Sequence, residues 1–313
     1  MLNVSKSLPD IAVIRGGKKE FETSLLEGKE VLQSLSKIGY KPVDVIISKD
    51  GEWNAHGVPT DMHAVFSKSH TIIDTTRSKD SEHQKLAKKM GITLFLSHGN
   101  NMSLDREDVY RLLRQQGIRV PDTITIRAKQ PLKDSMFREI WTTYHTPLMV
   151  RPLTRQEDAP TKLIKIFPEL ESIVRDYHDR GIDLHILTYR KASTSSIAVL
   201  PDFQGEELYT PLWVETFASM SDIPNNNSPM RVHHNAPAFR KEQIKDFVTK
   251  VYKALDLSGP VCIDIIPHND EYVVVNVDTH PSLRSDSRFS QSLASTGATI
   301  GQYIHSRILK DNL

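Results

Sequence analysis

Short apolar runs rich in β-branched residues alternate with amphipathic stretches in the first third of the chain. Residues 11–14 are apolar and lead at once into an Arg-Gly-Gly sequence, which is typical of a buried strand that ends in a tight turn. From Ser24 to Gly39 the apolar residues recur near helical spacing, and residues 43–48 predict a second strand. Because parallel strands require a crossover connection, this order predicts a βαβ unit.

The same pattern continues to about residue 100. Further strands are predicted at 64–66, 71–73 and 93–96, and a helix at 81–90. The N-terminal third is therefore predicted to be an α/β unit, with a boundary near 98–103. An amphipathic helix follows at 105–116, with Ser103 as its expected N-cap and Gly117 as its end.

The middle and last thirds of the chain have a different pattern, in which strands dominate. Strands are predicted at 147–152, 162–167, 183–187, 195–200 and 212–215, with one helix at 169–180. This order favours an α+β unit with an antiparallel sheet. A loop at 222–234, a helix at 242–255, strands at 261–267 and 271–277 and a closing helix at 299–309 complete the chain. We expect three domains at 1–100, 101–210 and 211–313.

Composition and charge narrow the range of partners. The chain has 313 residues, with 40 Lys and Arg against 39 Asp and Glu, so its formal net charge is +1. Near-neutrality gives no long-range field for a polyanion, and we expect neither nucleic acid nor an anionic membrane as the main partner. The only cysteine, Cys262, cannot form an internal disulfide, and we see neither a membrane-spanning stretch nor a secretory signal. We therefore expect a cytoplasmic protein that binds a small molecule.

Two groups of polar residues could carry chemistry near the start of the chain. Gly16 and Gly17 would let backbone N–H groups approach a carboxylate or phosphate, although the dinucleotide fingerprint G-x-G-x-x-G is absent. Glu20, Glu22 and Ser24 stand at the start of the predicted helix. They could contact a substrate, or they could simply cap the helix and favour its dipole.

A second group of polar residues lies on the last two predicted strands. Asn276 and Asp278 are two residues apart and therefore share one face of a strand, and Asp264 lies on the strand before. Two carboxylates and an amide are oxygen ligands suited to Mg²⁺. A solvated acidic face is the alternative, but the apolar neighbours make unpaired acids costly. The polar loop that follows, residues 279–287, could hold a carboxylate substrate or be an ordinary turn.

The order of these motifs resembles that of the D-alanine–D-alanine ligases, a family of the ATP-grasp superfamily. The segments that carry the resemblance are 11–17, 22–25, 147–152, 213–215, 262–264 and 275–281. The resemblance implies an ATP-grasp fold with an N-terminal βαβ (pre-ATP-grasp) domain. It also implies a cytoplasmic enzyme of peptidoglycan synthesis with ATP and Mg²⁺ as cofactors, an amino-acid-like substrate and a homodimeric assembly. In that family ATP phosphorylates one carboxylate, and a second amine then attacks the acylphosphate.

The resemblance also implies roles for particular residues. Glu20 and Ser24 match substrate-side positions, and Ser285 and Ser287 match the loop that receives the second substrate. Arg106 and Arg151 fall where the family has ATP-contacting lysines. Asp264, Asn276 and Asp278 match the metal ligands, with the acid and the amide of the last two positions exchanged.

Several positions depart from the family pattern. Residues 153–160 contain no glycine where the family has a glycine-rich phosphate loop, and Glu157 and Asp158 would repel a triphosphate. The nucleotide-binding glutamates near 187–188 and 194 are missing, and His98-Gly99 lies too late for the family's histidine-glycine pair. Two hypotheses therefore stand: an ATP-dependent carboxylate–amine ligase, and a catalytically inactive homologue that serves as a binding or scaffold protein.

Overall fold

The fold is described here from a computed structural model, for residues 10–18, 20–76, 82–95, 105–154, 159–189, 192–217, 228–269 and 271–311. Three sheets form its framework. In spatial order the strands of the first are Val58–Thr60, Trp53–Ala55, Val43–Ile47, Ile11–Gly16, Thr71–Asp74 and Thr93–Phe95, and those of the second are Thr123–Ile126, Leu184–Thr188, Leu148–Pro152 and Lys162–Ile164. Those of the third are Met230–Val232, Val214–Thr216, Thr194–Phe203, Val261–His268 and Glu271–Asp278, and Glu206–Tyr209 pairs with Thr194–Phe203. The predicted boundary at 98–103, Ser103 and His98-Gly99 lie outside the described residues.

The first sheet confirms the predicted βαβ unit. Its region contains β1 (Ile11–Gly16), α1 (Phe21–Lys37), β2 (Val43–Ile47), β3 (Trp53–Ala55), β4 (Val58–Thr60), α2 (Met62–Phe66), β5 (Thr71–Asp74), α3 (Glu82–Met90) and β6 (Thr93–Phe95). β1 runs parallel to both β2 and β5. The strand predicted at 64–66 is wrong, because Asp61 accepts a hydrogen bond from the Ala64 amide and caps the short helix α2 there.

The second sheet is antiparallel, as predicted. Its region contains α4 (Arg106–Gln115), β7 (Thr123–Ile126), α5 (Asp134–Thr143), β8 (Leu148–Pro152), β9 (Lys162–Ile164), α6 (Phe167–Asp179) and β10 (Leu184–Thr188). The strand predicted to reach residue 167 is shorter, since α6 begins there. The helix α5 was not predicted. Asp105, whose carboxylate accepts from the Asp108 amide, is the N-cap of α4 in the described structure.

The third sheet is also antiparallel. Its region contains β11 (Thr194–Phe203), β12 (Glu206–Tyr209), β13 (Val214–Thr216), β14 (Met230–Val232), α7 (Ala238–Ala254), β15 (Val261–His268), β16 (Glu271–Asp278), α8 (Arg288–Ala294) and α9 (Ile300–Asp311). β14 lies inside the predicted loop at 222–234, of which 222–227 are outside the described residues. The three-domain division stays a prediction, and the pairing of β11 with β15 favours a second boundary before Thr194 rather than at 210.

The hydrophobic cores of the fold do not coincide one to one with the three sheets. The second sheet has a core of its own, formed with α5 and α6. One face of the first sheet instead shares a core with the last part of the chain, where Ile11 and Leu35 belong to the same buried cluster as Leu200 and Tyr303. The first and third sheets are thus joined by a common apolar interior, which fixes α1 close to the loop before α8.

Candidate functional site

The glycine turn after β1 is closed by the start of α1. Gly16 has φ of 89° and its N–H donates to Ser24 Oγ at 2.8 Å. Ser24 is fully buried, and its hydroxyl also lies 3.1 Å from Thr75 Oγ1. Glu20, at the N-cap position, has φ of 48° and makes no side-chain capping hydrogen bond, which disfavours the simple capping role. The structure brings both predicted residues to this turn, and their substrate roles stay predictions.

Helix α1 also holds the 279–287 loop. The Leu283 amide donates to Glu27 Oε1 at 2.9 Å, and Ser282 Oγ donates to Glu27 Oε2 at 3.4 Å. The Ser285 amide donates to Glu30 Oε2 at 2.6 Å. The loop is therefore anchored to the helix that carries Ser24, and the two predicted substrate-side groups share one region.

The sequence contains a signal for this anchor. Glu27 is fully buried and lies in the buried stripe of α1 with Ser24, Val31 and Leu35. A carboxylate at helical spacing within an apolar stripe requires a buried hydrogen-bond partner. Glu27 is thus a site residue that could have been predicted, although its partner loop could not.

Ser287 has a structural task in the same loop. Its hydroxyl donates to Ser282 O at 2.6 Å and accepts from the Ser290 amide at 3.1 Å, so it caps α8. Ser285 donates its amide to Glu30, and its carbonyl accepts from Gln291 Nε2 at 2.8 Å. Neither described contact uses the Ser285 hydroxyl, so the predicted role of Ser285 toward a second substrate fits the geometry better than that of Ser287.

The two predicted nucleotide-contacting arginines meet beside β8. Arg151 is 7% exposed, and its Nη2 donates to Tyr110 Oη at 2.6 Å. Both Nη1 and Nη2 also lie 3.4 Å from Val275 O on β16. Arg106 Nη1 donates to Pro152 O at 2.6 Å. Both guanidinium groups are engaged by the protein, and that of Arg151 lies between the second and third sheets.

A buried histidine completes this group and was missed in the sequence. His185 is directly opposite Arg151 in the β8–β10 pairing, and its ring stacks on Tyr110 with centroids 5.7 Å apart. Burial, and then the charges of Arg151 and Arg106, lower the pKa of His185 to about 3, so its ring is neutral at physiological pH. No pattern in the sequence distinguishes it from an ordinary strand residue.

The predicted metal ligands are brought together in part. Asp264 and Asn276 are directly opposite in the β15–β16 pairing, and Asp278 is two residues further along the same face. Asp264 Oδ1 accepts from Ser196 Oγ at 2.6 Å, and Oδ2 accepts from Asn276 Nδ2 at 3.2 Å. Asp278 Oδ1 accepts from the His280 amide at 3.1 Å.

An arginine that was not predicted reaches the same carboxylate. Arg288 Nη1 lies 3.4 Å from Asp264 Oδ2 and forms an ion pair with it. The charge of Asp264 raises the pKa of Arg288, so the guanidinium stays protonated.

These residues do not fit Mg²⁺. Magnesium needs near-octahedral oxygen coordination, and Asp264 is already engaged by a hydroxyl, an amide N–H and a guanidinium. Among the described residues, no third His, Cys, Asp or Glu side chain joins Asp264 and Asp278 to complete a metal site.

A buried carboxylate at the end of β5 predicts a pH effect on stability. Asp74 accepts from the Thr76 amide at 2.8 Å and lies 3.0 Å from His83 Nδ1. Burial alone would raise the pKa of Asp74, but the hydrogen bonds from His83 and Thr76 outweigh it and lower that pKa. Because the folded-state pKa is below the unfolded one, the stabilisation is complete above about pH 4 and is lost as the pH falls through the folded-state pKa.

We expect Asp74→Asn to lower the free energy of unfolding by about 1–2 kcal/mol at pH 7, since a charge-assisted hydrogen bond is weakened. Urea unfolding of both proteins between about pH 3 and 7 measures the difference, which should shrink toward the acid end. A difference that is constant across this range would contradict the role given to the Asp74 charge.

Three sheets with an N-terminal βαβ unit agree with the ATP-grasp fold that the sequence resemblance implied. The profile of the family described as D-ala D-ala ligase C-terminus matches residues 112–309, which is more than half of the chain. The chain therefore belongs to the D-alanine–D-alanine ligase family.

Known relatives extend this similarity to nearly the whole chain. The D-alanine–D-alanine ligase of Francisella tularensis subsp. novicida (strain U112) is 21% identical over 299 residues, which are 94% of this chain and 96% of the relative. The structure of the Bacillus anthracis D-alanine–D-alanine ligase complexed with ATP has a TM-score of 0.76 at 18% identity and covers 97% of both chains. The VanG D-Ala:D-Ser ligase of Enterococcus faecalis has a TM-score of 0.75 at 18% identity, with 97% of this chain and 99% of that chain covered.

Of the segment without glycine at 153–160, residues 155–158, which include Glu157 and Asp158, lie outside the described part of the chain. Along the described residues, no helix combines the length and the apolar character that a membrane crossing requires.

Proposed function

We propose that the chain is an ATP-dependent carboxylate–amine ligase that acts on small amino-acid-like substrates. The observation that carries this proposal is the family match over 112–309, because that segment contains Arg151, Asp264 and the 279–287 loop. In the proposed reaction a substrate carboxylate oxygen attacks the terminal phosphorus of ATP and ADP leaves. The amine of the second substrate then attacks the acyl carbon, inorganic phosphate leaves, and the amine loses a proton.

The substrate side is proposed to lie between the start of α1 and the 279–287 loop. Glu27 holds the backbone of the loop against the helix that carries Ser24. Glu20 and Ser285 lie at the two edges of this region, and we propose that they orient the substrates. A small amino acid fits the proposal, since the relatives are named as D-alanine–D-alanine and D-Ala:D-Ser ligases.

The phosphate side is proposed to lie at Arg106 and Arg151. A planar guanidinium can bind phosphate through two parallel N–H groups, and buried positive charge stabilises a transferring phosphoryl group. Arg151 would exchange its long contacts to Val275 O, at 3.4 Å, for phosphate oxygens. Ser24 and Ser287 serve in this proposal to hold the turn and α8 in place.

The wider setting follows from the family. We propose a cytoplasmic location, a homodimer and a role in supplying peptidoglycan precursors. Mg²⁺ is left out of the proposed steps because Asp264 is already paired with Arg288.

The test of the proposed function is ADP release by the full-length chain. We expect release that requires both ATP and a small amino acid, measured with a panel that includes D-alanine, D-serine and their L-forms, each with and without Mg²⁺. Arg151→Met should reduce the rate by at least about 100-fold, since it removes charge from the phosphate site. Arg111→Met, at a side chain that is 54% exposed, is the matched control and should leave the rate unchanged. Absence of ADP release from every mixture would support the inactive homologue instead.

The anchor of the 279–287 loop gives a second prediction for this region. We expect Glu27→Ala to raise KM for the amino acid by about tenfold and to destabilise the fold by about 1–3 kcal/mol, because the Leu283 amide loses its acceptor. Steady-state kinetics and urea unfolding measure the two effects. Gln33→Ala on the same helix, at an exposed side chain away from the turn, is the control. An unchanged KM in Glu27→Ala would show that the anchor does not position the substrate.

A further inference from the structure

Asp264 is a buried acid that the ligase chemistry alone does not explain. It is 5% exposed on β15, between the apolar residues Ile263 and Ile265. Both carboxylate oxygens accept hydrogen bonds from side chains of neighbouring strands, Ser196 on β11 and Asn276 on β16. A buried carboxylate in this setting also requires a positive charge, because hydrogen bonds from neutral groups leave its charge uncompensated.

Arg288 supplies that charge. It is the first residue of α8, and α8 packs against β11 and β15 while Ser287 caps its start. Its Nη1 lies 3.5 Å from Asp264 Oδ1, 3.4 Å from Oδ2 and 3.4 Å from Ser196 Oγ. A single nitrogen thus bridges both oxygens of the carboxylate. The guanidinium is held by the helix start and the sheet together, so its place follows from the fold.

The position of this nitrogen conflicts with a divalent cation. A metal ion held by Asp264 would compete with Arg288 for the same carboxylate and would lie next to a positive charge. Arg288 already compensates the charge of Asp264. Removing a buried partner from an ion pair is strongly unfavourable, so a metal ion would have to displace Arg288 at considerable cost.

Arg288 still has donors that can reach a ligand. Its side chain is 33% exposed. Its hydrogen bonds within the described part of the chain all come from Nη1. Nε and Nη2 lie on one edge of the guanidinium plane, and this edge is suited to two oxygens of one oxyanion.

We propose that Arg288 takes the place of a divalent cation on Asp264 and binds a phosphoryl oxyanion of the ligand directly, without a metal ion. The inference deepens the proposed function and rests on it for the identity of the oxyanion as part of a nucleotide. The replacement of the cation by Arg288 is testable without turnover.

Metal binding is the first test, and Mn²⁺ alone is the probe. Electron paramagnetic resonance of free Mn²⁺ should show no Asp264-dependent site in the full-length chain, so that wild type and Asp264→Asn give the same titration. Arg288→Met removes the charge at similar length and should create a site that binds at least about tenfold more tightly than wild type. Arg288→Lys keeps the charge and should behave like wild type. The double variant Asp264→Asn/Arg288→Met should lose the new site.

Two results of the Mn²⁺ titration would overturn the proposal. One is binding by wild type that Asp264→Asn removes. The other is a folded Arg288→Met variant, verified by circular dichroism, that binds no more Mn²⁺ than wild type. If Arg288→Met does not fold, the comparison of Mn²⁺ binding by wild type and by Asp264→Asn decides whether the proposal stands.

Nucleotide affinity is the second test. Isothermal titration of ADP should give affinities that agree within about threefold in excess EDTA and in excess Mg²⁺, whereas a metal-dependent site would differ by tenfold or more. Inorganic phosphate in the same titration shows whether a free oxyanion suffices. Mg²⁺-dependent ADP binding that Arg288→Lys leaves unchanged would overturn the proposal. Absence of ADP binding in both conditions would count against the proposed ligase function, and the Mn²⁺ titrations would still decide the role of Arg288.

Discussion

Gly16→Ala is expected to lower the free energy of unfolding by about 3 kcal/mol or more, because an added Cβ combines backbone strain with a steric clash. Gly16 has φ of 89°, a conformation that residues with a Cβ rarely adopt, and the new Cβ would stand 2.3 Å from Ile47 O. Ile47 is directly opposite Gly16 in the β1–β2 pairing, so neither strand can move away without losing the ladder. Urea denaturation followed by circular dichroism measures the change.

Gly57→Ala is the matched control. Gly57 has φ of 82°, close to that of Gly16, but an added Cβ there meets no atom within 4 Å. We therefore expect it to cost about 1 kcal/mol, which is the backbone term alone. The difference between the two variants isolates the clash with the strand β2. Equal losses of stability in the two variants would show that the turn can relax. The close approach of Gly16 to Ile47 O would then make no measurable contribution to stability.

Asp264→Ala is expected to show the second large effect, a loss of about 2–3 kcal/mol, because it leaves the guanidinium of Arg288 without its partner. It also removes the acceptor for Ser196 Oγ. We expect a smaller loss of stability than for a fully buried ion pair because the Arg288 side chain is 33% exposed. Urea unfolding at pH 7 measures it.

A double-mutant cycle with Arg288→Met separates the ion pair from the rest of the site. If the pair carries the effect, Asp264→Ala/Arg288→Met should be less destabilised than the sum of the single variants by about 1 kcal/mol or more. Additive losses would indicate that Ser196 and Asn276, rather than Arg288, account for the cost of removing Asp264.

The parts of the fold that the sequence predicted best have strong local signals. The β-branched run before two glycines predicted β1 and its turn, and helical spacing from Ser24 predicted α1. The alternation along β16 placed Asn276 and Asp278 on one face, and the pairing of β15 with β16 puts Asp264 directly opposite Asn276. In each case the periodicity is set by the element itself, so no information from distant residues is needed.

The parts that could not be predicted depend on contacts between distant residues. Glu27 and Leu283 are 256 positions apart, and their hydrogen bond is fixed by the packing of α1 against the last part of the chain. Arg288 follows a polar stretch whose sequence predicts a turn. Only the packing of α8 against β11 and β15 places its guanidinium beside Asp264. The sequence predicted a strand at 64–66 because a run of three apolar residues fits a strand or a helix equally well. The structure has the short helix α2 there, and its N-cap Asp61 favours the helix.

The shared interior of the first and last parts of the chain has a consequence for synthesis on the ribosome. Ile11, Val13 and Leu35 are buried against residues as late as Tyr303 and Ile308. One face of the N-terminal unit therefore stays uncovered until almost the entire polypeptide has been translated, although its other face can form its own cluster early. A nascent chain with such an exposed apolar face is prone to association, and shortened products that lack α9 would keep that face open.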